Sequence, residues 1–153
     1  MKKIAVTLTT INMPYVVSDL LKVIKKTKKN NLIIDIIIAG DRKTPKGIYK
    51  YLNSIRSKTK SNIVYLDLEL QKKYFKKFKN LWSHIPLNTF ARRNFADLYA
   101  YQKKYDVITR IDDDNYPIGQ NFFDYHSKVN DTIESKVIKS SNGWYNVCEL
   151  LTD

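Results

Sequence analysis

The chain has 153 residues, 43% of them hydrophobic, and its 27 Lys and Arg against 15 Asp and Glu give a formal net charge of +12. This length suits one domain with a substantial core, and the apolar content is too high for a disordered polymer. A single cysteine, Cys148, excludes an internal disulfide framework and a cysteine-built metal site, and the longest apolar stretch is too short to span a bilayer.

The first part of the chain alternates extended and helical patterns. Residues 3–10 are rich in β-branched side chains and predict a strand, after which Ser18 or Asp19 is the expected cap of a helix that ends in a lysine cluster. Residues 32–39 are almost continuously apolar, which is typical of a strand buried on both faces of a parallel sheet. A helix is predicted around residues 48–55.

The second part of the chain continues this alternation. The predicted elements are a strand at 63–68, a basic, aromatic-rich helix or loop at 69–82, a helix at 90–104, a strand at 107–111, a helix at 122–129 and a strand at 136–139. Within the helix at 90–104 we expect Phe90, Leu98 and Tyr101 to be buried. Strands that alternate with helices imply right-handed crossovers, so we predict one α/β domain with a Rossmann-like, parallel-rich sheet flanked by helices.

The charge is distributed unevenly along the chain. Residues 1–104 carry 23 Lys and Arg against six Asp and Glu, whereas residues 105–153 carry four against nine. Helical lysines usually face water, but the same charge favours polyanions such as nucleic acid, phosphorylated substrates or an anionic membrane surface. Since residues 1–10 do not fit a signal peptide, we expect a cytoplasmic protein without a transmembrane segment, and peripheral membrane contact stays open.

Polar side chains gather where the predicted strands end. They are Thr9 and Thr10 after the first strand, Asp41, Arg42 and Lys43 after the second, and Asp112 to Asn115 after the strand at 107–111. Ligands of parallel α/β sheets bind beyond the carboxyl ends of the strands, near the point where the strand order reverses. These residues are therefore the first candidates for a functional site.

The three consecutive carboxylates of residues 112–114 carry the most specific chemistry. In a site that excludes water they would repel one another strongly, and a hard divalent cation such as Mg²⁺ or Mn²⁺ removes that cost. In an extended backbone Asp112 and Asp114 point the same way and Asp113 the other, which favours Asp112 and Asp114 as metal ligands. The alternative is a solvated acidic turn.

A pair of arginines precedes the acidic strand. A metal held by carboxylates suits an anionic substrate, most simply a diphosphate whose oxygens complete the coordination. Arg92 and Arg93 lie at the start of the helix predicted at 90–104, where guanidinium groups and backbone N–H groups together can bind phosphate. Two surface arginines of a basic protein are an equally good explanation.

Two segments of the chain resemble a known family. Residues 93–101 (RNFADLYAY), followed by residues 106–115 (DVITRIDDDN), resemble the arginine-asparagine helix and the Asp-Asp-Asp-Asn motif of the STELLO-type glycosyltransferases. Residues 39–45 (AGDRKTP) are similar to the Gly-Asp-x-Lys-Thr-Pro segment that follows their second strand. The resemblance covers most of residues 4–118, and a more distant one relates the chain to the reversibly glycosylated polypeptides of the GT-A fold.

The resemblance implies a metal-dependent enzyme that transfers a sugar from a nucleotide-diphosphate donor, linked to UDP or GDP, to an unknown acceptor. It places Thr9, Thr10 and Asp41 at the nucleoside, and Lys43, Arg92 and Arg93 at base or phosphates. Asp112 would lie near the donor ribose or the metal, and Asp114 would bind Mn²⁺ or Mg²⁺ directly, as in a DxD motif. Asp113 and Asn115 would shape the site.

The chain also departs from the GT-A pattern. Residues 1–118 correspond to a nucleotide-sugar-binding half and residues 119–153 to the start of an acceptor half, within one domain that is shorter than such enzymes usually are. No catalytic base is evident, and neither His84 nor His126 is expected to bind metal. The alternatives are a basic nucleic-acid-binding module, an inactive relative that binds the donor without transferring it, and a metal-dependent phosphotransferase or nuclease.

Overall fold

Four parallel strands form the central sheet of the protein. The computed structural model describes residues 1–27, 31–78, 81–132, 134, 139–141 and 143. The strands are β1 (Lys2–Thr10), β2 (Leu32–Gly40), β3 (Ile63–Leu66) and β4 (Val107–Arg110). Their spatial order is β3-β2-β1-β4, and each neighbouring pair is parallel. The predicted α/β class with a parallel sheet flanked by helices is confirmed, and the arrangement is compatible with a Rossmann-like fold.

Six helices connect and cover these strands in the described part of the chain. They are α1 (Val16–Lys26), α2 (Ile48–Arg56), α3 (Leu68–Tyr74), α4 (Leu81–His84), α5 (Arg93–Gln102) and α6 (Phe122–His126). A short 3-10 turn, Phe90–Arg92, leads directly into α5. None of the described helices is long and apolar enough to cross a bilayer.

The sheet has a separate hydrophobic core on each face. Side chains of α1, α2 and α6, such as Leu20, Leu52 and Phe123, pack on one face together with alternate residues of β1 and β2. On the other face, Phe75 and Phe95 pack against Ala5 and neighbouring sheet residues. Because β2 is covered on both sides, both of its side-chain sets are mostly apolar, which explains the almost continuous hydrophobic run of residues 32–39.

The strand order reverses at β1. The chain moves outward from β1 through β2 to β3, and then returns to the other side of β1 to form β4. At such a reversal in an open parallel sheet, two neighbouring strands are followed by connections that leave in opposite directions. A crevice therefore opens at the carboxyl ends of these two strands. The crevice of this fold therefore lies between the ends of β1 and β4.

Several element boundaries differ from the predictions for local reasons. Helix α1 begins at Val16 with Tyr15 at its N-cap, and no side chain caps it, so the expectation that Ser18 or Asp19 caps this helix is wrong. The third strand ends at Leu66 because Asp67 instead caps α3, accepting a 2.7 Å hydrogen bond from the backbone N–H of Leu70.

The burial predicted for the helix at 90–104 is largely wrong. Phe90 is 73% exposed and Tyr101 is 76% exposed, whereas Leu98 is partly buried. The regular helix begins only at Arg93, which sets a different face toward the sheet. That face carries Phe95 together with two small residues of α5, and small residues allow the helix to approach the sheet closely.

The C-terminal predictions are only partly covered by the structure. The helix predicted at 122–129 is present as the shorter α6. Residues 136–138 of the strand predicted at 136–139 lie outside the described residues, as does most of 142–153.

Candidate functional site

A cleft of about 520 Å³ lies at the carboxyl ends of β1 and β4, where the strand order reverses. Its volume is within the range of small-molecule sites. The cleft is lined by Thr9, Thr10, Ile11, Asn88, Thr89, Phe90, Arg93, Asp112, Asp113 and Asp114. The structure thus brings together five of the site residues singled out in the sequence, namely Thr9, Thr10, Arg93, Asp112 and Asp114.

The acidic segment is a turn and not a continuation of β4. The strand ends at Arg110, and the N–H of Asn115 donates a 3.2 Å hydrogen bond to the carbonyl oxygen of Asp112. The extended backbone on which the expected alternation depends therefore ends before these residues, and all three of them line the same cleft.

Two neighbouring elements hold two of these carboxylates. The hydroxyl of Thr10, at the end of β1, donates a 2.6 Å hydrogen bond to Oδ2 of Asp113. From the first turn of α5, Nη1 of Arg93 lies 2.7 Å from Oδ1 of Asp112. Asp114 is exposed and has no hydrogen-bond or ion-pair partner among the described residues. The turn is thus fixed at two points, and the third carboxylate is free to bind a ligand.

The donor set limits how a metal can bind here. Within the described ranges, no group of three or more His, Cys, Asp and Glu side chains is arranged to hold a metal ion. Mg²⁺ and Mn²⁺ are nevertheless commonly bound through one or two carboxylates, with water and substrate phosphate oxygens as the remaining ligands. Asp112 and Asp114 are the two carboxylates that could hold a metal in this second mode, together with an anionic ligand.

Asp41 lies at the end of β2, beside β1, but it does not line the cleft. Its backbone N–H donates to the hydroxyl of Thr44, which in turn donates to the carbonyl oxygen of Thr10. One carboxylate oxygen of Asp41 accepts from the N–H of Arg42, and the other is buried without a partner among the described residues. Lys43 is exposed and also lies outside the cleft lining.

Arg92 lies in the interior, and the structure does not bring it to the cleft. Its guanidinium carbon is 4.5 Å from the ring centroids of both Trp82 and Phe95, and it donates to the carbonyl oxygen of Ile85 and to the side chain of Gln71. Burial lowers the pKa of Arg92, and the negative charge of Asp41 opposes that shift. Arg92 thus connects elements of the fold, while the adjacent Arg93 lines the cleft and pairs with Asp112.

Four cleft residues were not singled out in the sequence as site residues. Asn88 adopts the left-handed backbone conformation, with φ of 57°, and precedes Thr89 and the 3-10 turn. Phe90 is exposed at the cleft, with the guanidinium carbon of Arg93 5.5 Å from its ring centroid, and Ile11 directly follows β1. Asn88 is the only one with a sequence signal, since asparagine tolerates positive φ better than most residues.

Neither histidine lines the cleft. His84 is exposed at the end of α4. His126 packs against Phe122 with ring centroids 4.5 Å apart, and burial lowers its pKa. The polar side chains that line the cleft are therefore carboxylates, hydroxyls, the amide of Asn88 and one guanidinium group.

Comparisons with protein-family models and with curated proteins find no match for this chain.

Proposed function

We propose that this chain is a metal-dependent glycosyltransferase domain of GT-A type that binds a UDP- or GDP-linked sugar in the cleft between β1 and β4. The observation that supports it best is the convergence of Arg93 with the acidic turn of residues 112–114 at the point where the strand order reverses. The resemblance of residues 93–101 and 106–115 to the STELLO-type enzymes agrees with this placement.

The roles of the cleft residues follow from their chemistry. Asp112 and Asp114 would hold Mn²⁺ or Mg²⁺ together with the diphosphate oxygens, and the metal would stabilise the negative charge that develops on the departing nucleoside diphosphate. A phosphate oxygen can replace Asp112 as the acceptor of Arg93, whose guanidinium group has five donors. Thr10 holds Asp113 and thereby fixes the turn that presents the other two carboxylates.

The proposal predicts that nucleotide binding stabilises the fold through Asp114. With Mn²⁺ and a UDP- or GDP-sugar at 100 times its dissociation constant, unfolding should require about 2.7 kcal/mol more, which is several degrees in Tm for this length. Asp114→Asn should abolish most of this shift because it removes a charged oxygen ligand. Thermal unfolding across a panel of nucleotide sugars, with and without Mn²⁺, measures both effects.

A matched substitution separates the cleft from general charge effects. Asp19→Asn makes the same change on α1, where Asp19 pairs with Lys22 and is remote from the cleft lining, and it should leave the ligand-induced shift intact. The proposal is wrong if no nucleotide sugar raises the Tm, or if Asp114→Asn and wild-type protein shift equally.

Binding without transfer is the second candidate function. It is favoured by the absence, within the described cleft lining, of any carboxylate outside the acidic turn that could act as a catalytic base. In that case the Mn²⁺-dependent Tm shift is retained, but incubation with the donor releases no nucleoside diphosphate. Chromatographic detection of UDP or GDP, released when water takes the sugar in place of the acceptor, would identify an active domain.

A further inference from the structure

An exposed apolar row lies on the segment that begins in α3. Leu70, Tyr74 and Phe78 are 45%, 36% and 41% exposed and follow one another at intervals of four residues. Helix α3 ends at Tyr74, and the backbone continues in turns, with the N–H of Phe78 donating to the carbonyl oxygen of Phe75. Residues four apart lie on the same side of a helix, so Leu70 and Tyr74 present one apolar edge to solvent.

Four lysines lie on the same segment as this row. Lys72, Lys73, Lys76 and Lys77 are all exposed, and none of them forms an ion pair with any described residue. Glu69 is the one carboxylate between residues 68 and 78. Nζ of Lys77 lies 5.1 Å from the ring centroid of Phe78, so charge and apolar surface are in direct contact. We call the exposed side chains of residues 70–78 the lysine–aromatic surface.

The buried side of the same segment fixes this surface to the sheet. Nε2 of Gln71 donates 2.7 Å hydrogen bonds to the carbonyl oxygens of Gly40 and Leu66, at the carboxyl ends of β2 and β3. Phe75 is buried against Phe95 of α5. The lysine–aromatic surface is therefore held rigidly, at the sheet edge that also carries the cleft.

We propose that the lysine–aromatic surface binds the surface of an anionic lipid bilayer. The lysine ammonium groups attract the phosphates of the lipid headgroups, and their aliphatic stems allow the row of Leu70, Tyr74 and Phe78 to enter the interfacial region. Both halves of the surface are then used, since the apolar side chains leave water and the four charges are neutralised. This inference does not depend on the proposed sugar transfer.

A nucleic acid fits the same surface less well. Lysines alone could bind the phosphates of a nucleic acid, but binding of a single strand also needs free aromatic faces on which bases stack. Leu70 offers no ring, and the ring of Tyr74 already contacts Phe75 and Tyr99 at centroid distances of 5.1 Å and 5.0 Å. The apolar row is thus better matched to lipid.

Vesicle sedimentation with the full chain tests the proposal. We expect binding to vesicles of phosphatidylcholine with phosphatidylglycerol and little binding to phosphatidylcholine alone. Each lysine contributes about fivefold to such binding, so Lys73→Gln with Lys77→Gln should weaken it about 25-fold. Leu70→Gln with Phe78→Gln leaves the charge unchanged and should still weaken binding about tenfold or more, because the apolar contribution is lost.

Controls decide between lipid docking and general attraction. Lys25→Gln with Lys58→Gln removes the same charge at a different cavity, lined by α1 and the segment that follows α2, and should leave vesicle binding nearly unchanged. Equal weakening by both lysine pairs would overturn the proposal. So would single-stranded DNA that displaces the protein from vesicles and binds the Leu70→Gln, Phe78→Gln variant as well as wild type. Urea unfolding verifies that each variant is folded, and the single variant Leu70→Gln replaces the pair if the pair is not.

Discussion

Gly40 and Gly47 show how the immediate surroundings of a glycine decide whether it can be replaced by a larger residue. Gly40 ends β2 against the side chain of Tyr65, so that a Cβ there would lie only 2.8 Å from two carbons of the ring. Gly47 is the N-cap of α2, with nothing within 4 Å of the same position and an ordinary φ of −64°. The first glycine is required by packing, and the second is not required by either packing or backbone conformation.

We therefore predict opposite effects for the same substitution. Gly40→Ala should destabilise the protein by about 1–3 kcal/mol, since the ring of Tyr65 is held in the sheet and cannot move away without cost. Gly47→Ala should stabilise it by about 0.4–1 kcal/mol by restricting the unfolded chain. Urea unfolding of both variants measures the difference, and a Gly40→Ala protein as stable as wild type would show that Tyr65 rearranges freely.

At the scale of elements, the junction between the 3-10 turn and α5 assigns different tasks to two consecutive arginines. Arg92 ends the 3-10 turn and faces inward, where it connects α3 through Gln71, the segment before the turn through Ile85, and α5 through Phe95. Arg93 begins α5 and reaches the acidic turn. We therefore expect substitution of Arg92 to affect mainly stability and substitution of Arg93 to affect mainly ligand binding.

Replacing each arginine by methionine tests this separation. Arg92→Met should lower the free energy of unfolding by about 1–3 kcal/mol, because it leaves the carbonyl oxygen of Ile85 and the side-chain oxygen of Gln71 without donors. Arg93→Met should cost less than about 1 kcal/mol, since its ion pair with Asp112 is partly exposed, yet it should weaken the binding of Mn²⁺ with UDP. Urea unfolding and calorimetric titration provide the two measurements, and equal losses of stability would contradict the separation.

The same junction shows where sequence-based prediction succeeds and where it stops. The strands and the main helices could be predicted because burial on both faces leaves a continuous apolar run and because helical periodicity survives in α1 and α2. The sequence could not show that a 3-10 turn precedes α5, and this turn determines which of Phe90, Arg92 and Arg93 is buried. If the helix began one residue earlier or later, the residues that face inward and those that face outward would be exchanged.

At the scale of the molecule, the parallel sheet is what makes the candidate site predictable. Polar residues that are about one hundred positions apart in the chain, Thr10 and Asp113, are joined by a hydrogen bond because β1 and β4 are neighbours. The rule for strand ends predicts this meeting without any contact information. It does not predict which end residues are buried: the rule groups Asp41 with the cleft, whereas Asp41 is buried and does not line it.

The charge of the whole molecule leads to a last prediction. A net charge of +12 is opposed by only four ion pairs within the described residues, so repulsion among lysines should destabilise the compact state at low ionic strength. Raising the salt concentration toward about 0.1 M, where the Debye length falls to about 10 Å, should therefore increase stability. A gain on the order of 1 kcal/mol would raise the Tm by roughly 2–4 °C.

Substitutions at four exposed lysines identify the origin of that salt effect. Changing Lys72, Lys73, Lys76 and Lys77 to Gln should raise the Tm at low salt and flatten its salt dependence, whereas changing the same four to Arg keeps the charge and should preserve the wild-type dependence. Urea, which is uncharged, is the suitable denaturant for a parallel measurement of unfolding free energy. Salt screens both the attraction within ion pairs and the repulsion among lysines, and the larger of the two decides whether the Tm rises or falls. A Tm that falls as salt is added would mean that the ion pairs outweigh the repulsion.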